Sequence, residues 1–505
     1  MALKNEERLT ALLLAAAMLT CACTHEVKIE HQTTPPEIFR IGAHSHTCRS
    51  TEFSQEYVER RLHQWAEQNE VDAMGLGSPW TAINARTAAY EEHEGLDRYY
   101  AGQQATTDPV FDQTDVEAML TRVNATPGNH TLYYLDNETP KQRYGHLWYI
   151  GFSLKVPNWH DYDQGLTAWY SDYDNDDAAI NSLTGEPQRR RSYREVVNEQ
   201  RAAGALCIWA HPTSWWTTDG DPNGPFTTNI AAEMLPQLME DGYLDGMTVV
   251  GYDAYHRDYE GLWFALLDRG YRVPAFAELD ISFGHNIESD DCSYFNILPR
   301  GQETTLTQEW IKEEFRAAHH TASSGPVLFL TVDGERQGAE LTSGANKRHR
   351  VTVEAYPAKG ERMLSKVELL GRGGEVLYTV RNFEGGRITW IVPGTKEGGY
   401  IVARCFGEHD GDYAYKAQQC VRHCAITNPV WLRTPAFLAP QPIVTTTDHM
   451  ANPKVRELMD YLAKGYFRKD YPGCAPGIIP VAAWRMDEME EALKADIAPA
   501  LSTSK

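Results

Sequence analysis

Between residues 39 and 280, short apolar runs recur along the chain, and one after another they stop at a histidine or a carboxylate. Phe39-Arg-Ile-Gly-Ala ends at His44-Ser45-His46, and His130-Thr-Leu-Tyr-Tyr-Leu135 ends at Asp136-Asn137-Glu138. Ala205-Leu-Cys-Ile-Trp-Ala210 ends at His211, and Val273 to Leu279 ends at Asp280. Runs this short and this apolar predict buried strands of a parallel sheet rather than half-exposed alternating ones. Ser54 to Gln68, between the first two such runs, has helical spacing with Tyr57, Leu62 and Trp65 on one side. Strand, helix, strand alternation is the signature of a parallel α/β architecture. If such a sheet closes into a barrel, the carboxyl ends of its strands gather at one mouth, and these polar residues meet there.

The residue types at those ends point to a metal. Side chains at i and i+2 of an extended chain share a face, so His44 and His46 can converge on one ion. Glu138, His211 and Asp280 are candidate partners, and His146 opens the strand Leu147 to Leu154. Imidazoles combined with carboxylates suit divalent Zn, Mn or Fe. Water between two such ions becomes a nucleophile near neutral pH, so hydrolysis is the expected chemistry. Each residue also has a plain reading. Glu138 can be a turn carboxylate, His146 a core histidine, His211-Pro212 a strand stop and Asp280 a cap. The ordered set favours the metal.

Around this set, Arg49 lies close to the His-x-His and Arg257 is a second basic candidate, both suited to an anionic reacting group. The 13 Trp and 26 Tyr are numerous, and many, such as Trp80 and the Trp215-Trp216 pair, sit in polar contexts. Aromatics beside polar groups suit sugar faces, and they equally fill large cores. Trp80, Trp215, Trp216, Arg257 and His285 are the candidate substrate contacts.

Other features bear on compartment and partners. Lys4 and Arg8 precede an apolar run from Ala11 to Leu19 that ends near Cys21-Ala22-Cys23, a signal-peptide layout too short for a membrane span. A Cys just past the run resembles a bacterial lipoprotein cleavage site, with Cys21 and Cys23 both open as the lipidated residue. The expectation is an exported protein, periplasmic or on the cell surface, touching membrane only through a lipid anchor. The formal net charge of -23 predicts no nucleic-acid partner. The expected partner is a small molecule or glycan, and the oligomeric state is left open. Of nine cysteines, Cys405, Cys420 and Cys424 lie close enough in sequence for one disulfide in an oxidising compartment.

The chain changes texture after a helix near Leu306 to His320. From 325 to 432 it alternates in period two with frequent Gly turns, as in Arg350-Val-Thr-Val-Glu-Ala, which predicts a small antiparallel β-sandwich. The expected organisation is a signal peptide over 1–23, a linker over 24–38, a barrel over 39–322, a sandwich over 323–435 and a helical tail over 436–505.

Residues 39 to about 290 resemble the PHP (polymerase and histidinol phosphatase) superfamily, and more closely its CehA/McbA-type metallohydrolase branch. The resemblance rests on His44-Ser45-His46, on Glu138 followed by Tyr144-Gly145-His146, on the Gly204-to-Pro212 strand and on Asp280. It continues at Gly325 to Gly334 and at Ala425 to Trp431, which look like that branch's β-rich C-terminal segment. It implies a distorted (β/α)7 barrel with up to three metals. His44, His46, Glu138 and Asp280 match ligands of the first metal, and Glu138 bridges to a second completed by His146 and His211. The third site departs from the pattern: the family's Thr-Asp-His is Gly77-Ser78-Pro79 here, and a further His is Ser282. The implied cofactors are therefore two divalent ions, with Glu138, Asp280 and Arg49 as the catalytic set. The implied activity is hydrolysis of an ester, phosphoester, amide or carbamate, carbohydrate-linked or not. Two rivals stay open: a non-catalytic glycan-binding lipoprotein on a degenerate barrel, and a metal-dependent sugar lyase.

Overall fold

The structure, a computed structural model, describes residues 27–46, 55–77, 113–139, 147–152, 179–180, 187–188, 193–210, 215–217, 226–228, 244–251, 259–268, 270–282, 294–301, 305–408 and 423–437. These residues are rich in sheet and carry few helices. Strand β1 (Lys28–His31) comes first, then β2 (Ile38–Gly42) and β3 (Ser45–His46). Helix α1 (Gln55–Gln68) follows and buries Val58, Leu62, Trp65 and Ala66, an i, i+4, i+7, i+8 stripe that one helix face provides. Next are β4 (Ala73–Gly77), α2 (Gln113–Ala125), β5 (Leu132–Thr139) and β6 (Leu147–Ile150). The barrel part ends with α3 (Tyr193–Ala202), β7 (Leu206–Trp209), β8 (Gly246–Gly251), α4 (Tyr259–Asp268), β9 (Ala275–Glu278) and β10 (Ile281–Ser282).

Strands β2 to β10 belong to a closed barrel. β4 runs parallel to β2, β3 and β5, and β8 runs parallel to β7 and β9. Parallel pairing of β10 with β3 closes the circle, with Ile281 opposite Ser45 and Ser282 opposite His46. β6 is antiparallel to both β5 and β7. The expected distorted (β/α)7 barrel is therefore corrected to a mixed sheet with an antiparallel strand. An antiparallel neighbour can follow its predecessor without a crossover helix, whereas a parallel one cannot.

The edge of β9 away from β8 is held largely by side chains. Asn428 Oδ1 accepts from the Ala275 N–H (2.7 Å), and Asn296 Oδ1 accepts from the Ala277 N–H (2.9 Å) while its Nδ2 donates back to the Ala277 carbonyl (2.9 Å). Two residues further, the Leu279 N–H reaches the Ala43 carbonyl at 3.1 Å. A buried backbone donor must be paired, and here two amide side chains do what a neighbouring strand does elsewhere.

Beyond the barrel come β11 (Phe295–Pro299), α5 (Gln308–Arg316), β12 (Thr321–Ser323), β13 (Val327–Val332), β14 (Arg348–Tyr356), β15 (Leu364–Leu370), β16 (Val376–Phe383), β17 (Gly386–Pro393), β18 (Gly399–Phe406), β19 (Cys424–Thr427) and β20 (Val430–Arg433). One sheet contains β1, β17, β14 and β13 in that order. The facing strands β15, β18 and β19 continue through β12 and β11 to the barrel strand β2. Val351, Ile388 and Trp390 from one sheet pack with Val367, Leu369 and Ala403 from the other. The chain thus forms its sandwich with a strand borrowed from 28–31, inside the stretch read as a linker, where Lys28 pairs with Thr389 and His31 with Gly386. Cys405 and Cys424 are both free thiols, and Cys420 lies outside the described residues, as does the tail beyond 437.

Candidate functional site

The approach of β3 to β10 brings His44 and Asp280 together. Each residue sits in a break between two strand segments, His44 between β2 and β3 and Asp280 between β9 and β10. Both have left-handed backbones, with φ of 63° at His44 and 43° at Asp280. Residues other than glycine adopt that region at a cost, and such outliers gather where side chains must be aimed for a purpose. Here the two breaks leave His44 Nε2 3.5 Å from Asp280 Oδ1.

His44 is only 1% exposed and is gripped by its surroundings. Its N–H donates to Asp136 Oδ2 on β5 (2.8 Å), and its ring meets Trp148 edge-on at 5.4 Å. Its Nδ1 lies 2.5 Å from Oε1 of Glu278, the last residue of β9. A carboxylate oxygen accepts, so Nδ1 carries a proton, and in the neutral imidazole Nε2 then presents its lone pair toward Asp280. The other oxygen of Glu278 accepts from the Thr248 hydroxyl on β8. Ser45 Oγ donates to the Gly75 carbonyl (2.6 Å), which pins β3 to β4 just beyond His44. Gly75 itself makes room for the site, because a Cβ there would collide with the Asp136 carboxylate.

The geometry fits a divalent ion between His44 and Asp280. Two ligands at tetrahedral angles around an ion at about 2.0–2.2 Å sit about 3.4 Å apart, and the observed separation is 3.5 Å. An imidazole whose far nitrogen donates to a carboxylate is also how metal-bound histidines are usually held. Among the described residues, no group of three or more His, Cys, Asp or Glu is arranged to hold a metal.

Of the other residues expected at the site, His46 pairs through its backbone with Gly77 and Ser282, at the mouth where His44 lies. Glu138 is in β5, two residues beyond Asp136, opposite Trp148. Trp215 and Trp216 form part of a two-stranded ribbon, opposite Thr228 and Thr227. The side chains of these four residues lie outside the described ones, as do Cys21, Cys23, Arg49, Trp80, His146, His211, Arg257 and His285 altogether.

Sequence reasoning passed over Asp136, Thr248 and Glu278, each fully buried. A signal was available. Leu135-Asp136 and Ala277-Glu278-Leu279 place carboxylates inside apolar strands, and a buried carboxylate has to have partners. His319 and His320 follow α5 rather than lying on it. His320 is buried against Phe276 and Phe315, and its Nε2 lies 2.9 Å from the Ala275 carbonyl.

No family model matches the chain, and no curated protein matches it. Among solved structures it is similar to Endonuclease Q in complex with a 27-mer duplex carrying an abasic lesion, with a TM-score of 0.27 and 15% identity. The match covers 55% of this chain, which spans 57% of that structure's length. The exclusion of a nucleic-acid partner is corrected here. The matched protein is bound to duplex DNA, and a whole-chain charge of -23 does not decide what one cleft accepts, since bound cations can dominate the local field.

Proposed function

We propose that this chain is a metal-dependent hydrolase of the PHP type. The observation that carries the reading is the His44–Asp280 pair: two acceptor atoms 3.5 Å apart, each on a left-handed break at the end of a barrel strand. Two acceptors facing each other are held favourably by a cation between them. In this reading His44, His46, Glu138 and Asp280 would hold one divalent ion, and Glu138, His146 and His211 would hold a second. The strand that places Asp136 against His44 is also the one that carries Glu138, two residues on.

Divalent ions held there would supply an activated water and polarise the oxygen of the attacked group. The protein's own residues do the rest. Asp136 and Glu278 fix His44, the Ser45 hydroxyl anchors the strand, and Trp148 shields the imidazole from water. Arg49 is assigned to the anionic group of the substrate, an ester, phosphoester, amide or carbamate.

Elemental analysis of the purified protein beside His44→Ala and Asp280→Ala variants tests this. About two equivalents of a transition metal in the native chain, lost in both variants, is the expected result. If the native protein takes up no metal after incubation with Zn or Mn, the hydrolase reading falls.

A further inference from the structure

We propose that Glu278, held by Thr248, is the positioning residue that sets how tightly His44 holds its metal. The inference rests on the metal reading above and adds a residue that the expected ligand set does not contain. Glu278 ends a fully buried strand segment, and none of its own surface is exposed. One oxygen takes the Nδ1 proton of His44 at 2.5 Å and the other takes the Thr248 hydroxyl, so the carboxylate is fixed from both sides.

Two consequences follow for the imidazole. First, the tautomer is determined: with the proton on Nδ1, the lone pair lies on Nε2, the atom that faces Asp280. A neutral histidine without such a partner spends part of its time in the other tautomer, and that fraction cannot bind. Second, a carboxylate behind an imidazole draws its proton away and makes the opposite nitrogen a stronger donor to a cation. The arrangement is also rigid. β8 and β9 are parallel neighbours with Thr248 opposite Phe276 and Gly251 opposite Glu278, and Gly251 has φ of 150° where its backbone crowds that of Glu278. Thr248 thus reaches Glu278 from an adjacent strand, with no loop in between.

The test is chelator competition with Zn and with Mn on the full chain, comparing the native protein with Glu278→Gln, Thr248→Val, Thr248→Ser and His44→Ala. Glu278→Gln keeps the shape but removes the charge and one of the two acceptors, so only one of the hydrogen bonds from His44 and Thr248 can stay as it is, and the expected loss of affinity is about 10- to 100-fold. Thr248→Val should weaken binding in the same direction by a smaller factor, and Thr248→Ser should restore it. Nitrogen-15 shifts of the His44 ring in the metal-free protein supply a second readout: Nδ1–H in the native chain, and a tautomer mixture in Glu278→Gln, whose amide can face the ring with either its oxygen or its NH2. If the native chain binds metal, His44→Ala loses it and Glu278→Gln binds as tightly as native, the role of Glu278 is overturned while the metal site stands. If native and His44→Ala bind alike or neither binds, the metal reading fails and takes this inference with it.

Discussion

Two buried histidines, one in each half of the molecule, are built almost alike and end differently. His44 in the barrel and His349 in the sandwich are each 1% exposed, and each gives Nδ1 to a carboxylate, Glu278 at 2.5 Å and Asp333 at 2.7 Å. At the other nitrogen they part. His349 Nε2 meets the Ser343 hydroxyl at 2.8 Å, a donor that closes the chain of hydrogen bonds, and Asp333 also accepts from the Arg350 N–H at 2.7 Å. His44 Nε2 meets Asp280, a second acceptor. The sandwich relay is complete as protein and ties the turn at Asp333 to the one after Ser343. In the proposed function a cation joins the barrel relay between His44 and Asp280. A carboxylate–histidine pair is therefore not informative alone; what faces the second nitrogen decides between structure and chemistry.

Ser343, His349 and Asp333 invite comparison with a hydrolytic triad, and the contrast can be broken experimentally. His349→Ala should cost about 2–4 kcal/mol of stability, because it strands a buried hydroxyl and a carboxylate. It should leave metal content untouched, while His44→Ala should abolish metal retention, a larger effect than the 10- to 100-fold typical of outer partners. Urea titration and elemental analysis of the two variants read both quantities. Metal loss in His349→Ala would end the distinction.

A third buried histidine sharpens it further. His320 lies where barrel and sandwich join, with Nε2 donating to the Ala275 carbonyl and no carboxylate among its described hydrogen-bond partners. Burial pushes its pKa down to about 3 from 6.5, the Ala275 carbonyl opposing this and His319 adding to it. The unfolded chain takes up a proton from about pH 6.5 downward, and the folded chain does not until about pH 3. The contribution of neutral His320 to stability is therefore full above about pH 6.5 and is lost progressively below it, by at most about 1.4 kcal/mol per unit. Urea midpoints at pH 7 and pH 5 should show this fall, and His320→Gln, whose amide can still donate to Ala275, should flatten it. An equal fall in the variant would assign the pH dependence to other groups.

A further effect is expected at Gly75, whose missing side chain admits Asp136. Gly75→Ala should cost about 1–3 kcal/mol through overpacking and should loosen the grip of Asp136 on the His44 backbone. Metal affinity should fall while the sandwich, probed by amide hydrogen exchange of strands β13 to β18, stays native. Unchanged affinity would show that His44 keeps its place without Asp136.

Much of this was legible in the sequence, for reasons that are local. Helix α1, strands β4, β7, β8 and β9 and most of the sandwich strands follow from spacing and apolarity, since each buries residues near in sequence. Asp280 and His44 were legible because a polar residue that stops an apolar run is visible without neighbours. The direction of β6 was not, because a strand's side-chain pattern is the same whichever way its partner runs. Nor was the place of β1, whose four residues pair with Arg387 and its neighbours far along the chain. Glu278 was not singled out within its apolar run, and Asp136 was read only as part of the polar end of its strand. Their meaning depends on what stands across the barrel, and periodicity carries no information about that.

The asparagine clasp on β9 has a consequence for how the molecule is made. Ala275 leaves the ribosome 153 residues ahead of Asn428, which satisfies it, while Asn296 follows Ala277 by only 19. The strand that aims Glu278 and Asp280 is thus secured early at one point and late at another. Domains generally assemble as they emerge, and contacts between distant residues form slowly. A nascent chain stalled before residue 428 should have its other barrel strands in register and its last one frayed, so that the mouth of the barrel matures only when the sandwich is complete.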